Sequence, residues 1–118
     1  MLYLNDSAGN SIAIPSLKEV THLLRRNLWV KRQYPILRAY LAGSTSRGEA
    51  RPDSDLDILL VINPVKGKRS ISVSEHYHAR FTADHQKPHF EGRQVDFQFY
   101  YPDEESRILK MNNPILLA

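Results

Sequence analysis

The residues Leu41-Ala42-Gly43-Ser44-Thr45-Ser46-Arg47-Gly48, followed by Asp53-Ser54-Asp55-Leu56-Asp57-Ile58-Leu59-Leu60-Val61-Ile62, decide how this chain folds. They read as the end of an apolar strand, a turn of small residues opening a short helix, and a second strand led by carboxylates. Ile36 to Ala42 is the first core strand, ending at Gly43. Asp55 to Ile62 is the second, and its nearly continuous apolar run after Asp57 marks a strand covered on both faces. Farther on, Gln94-Val95-Asp96-Phe97-Gln98-Phe99-Tyr100 alternates with period two. It is a third strand, with Val95, Phe97 and Phe99 on one face and Asp96 on the other.

Helices fill the intervals. Ser16 and Glu19 stand at capping-box spacing, and Leu17, Val20, Leu24 and Leu28 recur at helical spacing behind them. The basic residues of that segment, Lys18, Arg25, Arg26, Lys31 and Arg32, are the solvated side of an amphipathic helix. Ser72 and Glu75 repeat the box, and Val73, Tyr77 and Phe81 follow at i, i+4 and i+8, which predicts a helix over 73–84. Asp103 is read as the cap of a last helix reaching about Met111, ended by Asn112-Asn113-Pro114. The fold class expected is α/β: a small, mixed, twisted sheet with helices mainly on one face. One domain spans 1–118, with a hairpin or arm over 1–15, a core over 16–101 and a C-terminal helix and tail over 102–118.

Composition narrows the class of protein. The chain has 118 residues, 42% of them hydrophobic and 25% charged, in the range of a soluble globular domain. It has no cysteine, so disulfides and thiolate metal sites are excluded. The Met1-Leu2-Tyr3-Leu4-Asn5-Asp6 start lacks the pattern of a secretory signal, and no apolar run is long enough to cross a membrane. The expected location is the cytoplasm. A net charge of +3 is compatible with nucleotide ligands and gives only weak support for nucleic-acid binding.

The second strand carries the chemistry. Asp55 and Asp57 are two apart, so an extended chain points both side chains to one side. Neighbouring carboxylates raise one another's pKa unless a cation lies between them. Hard oxygen donors of this kind suit Mg²⁺, whose remaining positions go to water and phosphate oxygens. If the third strand lies beside the second, Asp96 supplies a third carboxylate, and three can hold two metal ions at roughly 4 Å. The preceding turn supplies the other half. Gly43 lets a phosphate approach the backbone, Ser44 offers a hydroxyl and an N–H at the start of a helical turn, and Arg47 adds charge against phosphate or pyrophosphate. Taken singly, each of these residues is better explained by a capped helix and an Asx turn, with Asp53 and Asp55 satisfying backbone N–H groups; the combination and spacing favour a phosphate clamp beside a metal clamp.

Gly43-Ser44, ten intervening residues and Asp55-Leu56-Asp57 resemble the signature of the DNA polymerase β-like nucleotidyltransferase superfamily. The longer string, Gly43-Ser44-Thr45-Ser46-Arg47-Gly48 to Ser54-Asp55-Leu56-Asp57-Ile58, looks most like its small members, the minimal nucleotidyltransferases, with Ser46 where those usually carry alanine. The resemblance implies that Asp55, Asp57 and Asp96 bind the metals, two Mg²⁺ ions, and that Gly43 and Ser44 hold the triphosphate of ATP or another NTP. It also implies transfer of a nucleoside monophosphate to an acceptor hydroxyl. Such proteins often pair with a helical ribonuclease toxin called HEPN, so the expected partner is a toxin of that type or a second copy of the chain. Two other readings stay open: a non-catalytic antitoxin that masks its partner by contact, and transfer to a small molecule or an RNA end.

Four histidines, His76, His78, His85 and His89, cluster in sequence. Their spacing matches no common zinc pattern, and Pro88 interrupts the segment, so they are read as surface or acceptor-cleft residues. Tyr100 and Tyr101 are read as core packing, with stacking on a base as the other role open to them.

Overall fold

A computed structural model describes residues 2–27, 36–63 and 88–118. The helix expected over 73–84, and with it His76, His78 and His85, lies outside the described residues.

Strands β1 (Leu2–Asn5) and β2 (Ser11–Ile14) form an antiparallel hairpin, Leu2 opposite Ile14 and Asn5 opposite Ser11. Its turn is organised by Asp6, whose Oδ1 accepts the N–H groups of Ala8 and Asn10, both at 2.9 Å. Helix α1 (Leu17–Asn27) starts on a reciprocal capping box. The Glu19 N–H donates to Ser16 Oγ and the Ser16 N–H to Glu19 Oε1, both at 3.1 Å. Val20, Leu23 and Leu24 bury its apolar side.

The main sheet comprises β3 (Ile36–Ala42), β4 (Leu56–Ile62), β5 (His89–Phe90), β6 (Arg93–Tyr100) and β7 (Ile115–Leu116), in the order β5-β6-β4-β3-β7. Among the described residues only β4 and β6 run parallel; the other pairs are antiparallel, so the sheet is mixed as expected. Period-two alternation divides the side chains between two faces. Ala39, Leu41, Leu56, Ile58, Leu60, Val95, Phe97 and Phe99 join Ile12, Ile14 and α1 in one core cluster. Tyr40, Ala42, Leu59 and Val61 form a second cluster with Ile108. Helix α3 (Glu105–Asn112), which carries Ile108, therefore covers the face opposite α1. The short α2 (Gly43–Ser46) sits between β3 and β4.

Two local features differ from expectation. Asp103 does not cap the last helix; it lies inside a 3-10 turn, Pro102–Glu104. The N-cap position of the helix is Glu104, which makes no side-chain cap bond there; its Oε1 accepts the Tyr101 N–H at 3.1 Å at the head of the preceding turn, which Pro102 opens. After α3, Asn113 adopts the left-handed conformation (φ 43°) and turns the chain back, so the tail adds β7 beside β3. Two residues are too few to show a strand period in sequence. Among the described residues no helix is long and apolar enough to cross a membrane.

Candidate active site

The site is built where β3 leaves the sheet and β4 enters it. Ala42 is still extended, and Gly43 then takes φ +71°, in the left-handed region. A β-carbon there would lie 2.0 Å from Oδ2 of Asp57. Glycine is thus required twice, by the backbone and by the carboxylate that occupies the space of the missing side chain. The Ala42 side chain cannot accept a hydrogen bond, so no side chain caps the α2 N–H groups of the Gly43-Ser44 turn. Ser46 Oγ donates back to the Gly43 carbonyl at 2.9 Å, and the Glu49 N–H closes the turn on the Ser44 carbonyl at 2.8 Å. Thr45 is buried, and its Oγ1 has no hydrogen-bond partner among the described residues.

Pairing places Ala42, Asp57 and Asp96 in one row across β3, β4 and β6: Ala42 is the register partner of Asp57, and Asp57 that of Asp96. Asp57 and Asp96 share the face of the second cluster, and Asp55 precedes them with the same parity. The Asp57 carboxyl is held above the ordinary aspartate range. Burial is the largest cause, followed by the charges of Asp96 and then Asp55; Arg47 opposes them. The sequence-derived candidates therefore share one electrostatic field. Among the described residues no three His, Asp or Glu side chains already stand as a metal cage. Gln94 Nε2 holds Asp55 Oδ2 at 3.3 Å, and three like charges have no reason to close on one another without a cation. The donor set itself, hard oxygens whose mutual repulsion a cation relieves, fits Mg²⁺.

Arg47 is exposed and pairs with Glu49, Nε to Oε2 at 3.1 Å, one helical turn beyond Gly43. Tyr101 is buried in the core, as expected, and Tyr100, partly exposed, packs against the second cluster while donating to Gln98 Oε1 at 2.7 Å. His89 lies exposed in β5. A cavity of about 720 Å³ beside α1 is lined by Lys18, His22, His89, Phe90 and Glu91 among others, and none of the candidate residues borders it.

Sequence reasoning missed Arg93. Its Nη1 donates to the carbonyls of Ser54 at 2.8 Å and Arg51 at 3.1 Å, and its Nη2 lies 3.7 Å from Oδ2 of Asp6. No local string announces such a contact, because its partners come from a distant loop and from the N-terminal hairpin. Gln94 was read only as a strand residue for the same reason.

The nucleotidyltransferase domain family matches residues 28–115, most of the chain, including both strands and the turn of the site. Comparison with curated proteins and with solved structures finds no match. The mixed sheet, the Gly43-Ser44 turn and the paired aspartates agree with that family assignment and with the resemblance to minimal nucleotidyltransferases. The chain belongs to the nucleotidyltransferase domain family.

Proposed function

We propose that the protein transfers a nucleoside monophosphate from ATP, or another NTP, to an acceptor hydroxyl and releases pyrophosphate. The acceptor oxygen bonds to the α-phosphorus, the bond from that phosphorus to the bridging oxygen breaks, and the acceptor proton leaves to water. The observation that carries this reading is the placement of Asp57 between Gly43 and Asp96, with Asp55 acting on the same carboxyl. Asp55, Asp57 and Asp96 would hold two Mg²⁺ ions, which when bound neutralise the triphosphate and make the acceptor hydroxyl more acidic. The N–H groups at Gly43 and Ser44, which no side chain caps, would receive phosphate oxygens, and Arg47 would exchange Glu49 for the pyrophosphate.

The resemblance supports a partner protein as acceptor, a tyrosine or similar hydroxyl on a HEPN-type toxin, with the chain as its antitoxin. Incubation with α-labelled ATP, Mg²⁺ and a co-purifying partner tests this. Label on the partner, lost in Asp57→Asn, is the expected result. A tight complex without label would favour masking by contact, and label on an RNA end or a small molecule would move the acceptor there. Undiminished transfer by Asp57→Asn would overturn the mechanism.

A further inference from the structure

We propose that Arg93 is a positioning residue for the metal-binding end of β4, with Asp6 of the N-terminal hairpin as its charged counter-anchor. The inference rests on the reading of Asp55, Asp57 and Asp96 as metal ligands. Arg93 acts first on the peptide between Ser54 and Asp55. Arg93 Nη1 donates to the Ser54 carbonyl at 2.8 Å, and so fixes the plane of the peptide that delivers Asp55. The same Nη1 reaches the Arg51 carbonyl at 3.1 Å. The loop closes on itself, with Arg51 N–H on Ser54 Oγ at 2.7 Å and Ser54 N–H on the Arg51 carbonyl at 3.0 Å. It is a small rigid turn gripped from outside by one guanidinium.

The next residue acts on the other side. Adjacent strand residues point to opposite faces. Arg93 shares the parity of Val95 and the first core cluster, and Gln94 that of Asp96. Gln94 Nε2 donates to Asp55 Oδ2 while Arg93 holds the backbone just before it. One dipeptide thus orients Asp55 by its carboxylate and by its peptide, at the start of the strand that also carries Asp96.

What orients Arg93 is Asp6. Its side chain is 1% exposed and that of Arg93 15%. Asp6 Oδ1 is committed to the hairpin turn, whereas the buried Oδ2 has no hydrogen bond among the described residues and faces Arg93 Nη2 at 3.7 Å. Burial opposes the Asp6 charge; hydrogen bonds from Asn10 and Ala8 hold the carboxyl below the ordinary aspartate range, and the Arg93 guanidinium, facing the buried Oδ2, adds to them. The hairpin also touches the loop directly, the Ser7 N–H donating to the Ala50 carbonyl at 2.6 Å. Residues 2–14 lie outside the segment matched by the nucleotidyltransferase family, so the hairpin half of this brace is not part of that match.

The test compares the full chain with Arg93→Gln, Arg93→Lys and Asp6→Asn, measuring Mn²⁺ binding by electron paramagnetic resonance beside the thermal midpoint. Loss of partners that orient metal ligands typically weakens metal affinity about 10- to 100-fold. The expected result is weakening in that range for Arg93→Gln with the folded circular-dichroism spectrum kept, and a smaller loss for Arg93→Lys, whose single ammonium cannot span both carbonyls and Asp6. A lowered midpoint with Mn²⁺ affinity within about twofold of the parent, in a folded Arg93→Gln or Asp6→Asn, would overturn the proposal. Unfolding of all three would overturn it too, since the clamp would then serve the fold alone. A parent chain that binds no Mn²⁺ would instead remove the metal-ligand reading on which the proposal stands.

Discussion

Gly43 and Asp57 occupy one space: a β-carbon on the glycine would stand 2.0 Å from the aspartate's Oδ2, with its Cγ and Cβ at 3.0 and 3.2 Å. The obstacle is a short, packed side chain in the row of the candidate ligands, so it cannot retreat without moving the site.

Gly43→Ala is therefore expected to lose stability and function together. A non-glycine residue in a left-handed conformation costs on the order of 1–3 kcal/mol before the clash is added. Urea unfolding measures the first effect, and transfer of label from ATP the second. Normal transfer in a folded Gly43→Ala protein would show that Asp57 need not stay where it is.

Asp57→Asn should have the opposite effect on stability. The ionised carboxylate is opposed by burial and by Asp96 and Asp55, so without a divalent cation the amide variant is expected to unfold at a higher temperature than the parent. Added Mg²⁺ should raise the parent's midpoint and leave the variant's nearly unchanged. Equal Mg²⁺ responses in a thermal melt would place the cation elsewhere.

A pH prediction attaches to Glu105. Arg38 donates to it in bidentate fashion, at 2.6 and 2.8 Å, and Tyr40 donates its hydroxyl at 2.5 Å. The hydrogen bond from Arg38 is the largest influence and lowers the carboxyl's pKa below the ordinary 4.5; burial works against it and Tyr40 reinforces it. A carboxyl with a depressed folded pKa contributes stability that is complete above the unfolded value and is lost as pH falls through the folded one. The parent should thus lose more stability than Glu105→Gln on acidification below 4.5, as followed by chemical unfolding at a series of pH values. Parallel losses would mean that the ion pair contributes nothing measurable.

Ile108 is the residue of α3 that enters the second core cluster, at 3% exposure, and it packs on the face that carries the aspartates. Ile108→Ala is expected to cost about 2–5 kcal/mol. Since Tyr40 and Leu59 lie one row from Ala42 and Asp57, metal-dependent transfer should weaken with it. An unfolding midpoint unchanged by this substitution would show that α3 is not held through Ile108.

Much of this was legible locally. Periodicity in Ile36–Ala42, in the apolar run to Ile62 and in Gln94–Tyr100 identified the three central strands, because alternation is written into neighbouring residues. The capping box at Ser16 and Glu19 has its physical cause within a few residues and formed as read. Where local signals compete, as at Pro102, Asp103 and Glu104, the proline opens a 3-10 turn that takes in Asp103, and the helix begins only after Glu104.

By itself, then, the sequence determined the strand–turn–strand unit and the spacing of Gly43, Asp55 and Asp57, since these depend on short-range geometry. Only the tertiary structure decided that Asp96 stands beside Asp57, that a two-residue tail completes the sheet as β7, and that Arg93 joins Asp6 to the Ser54 carbonyl. Those contacts unite residues remote along the chain. They arise from which faces are buried together and which backbone groups find partners across the sheet, and no short window of residues encodes that choice.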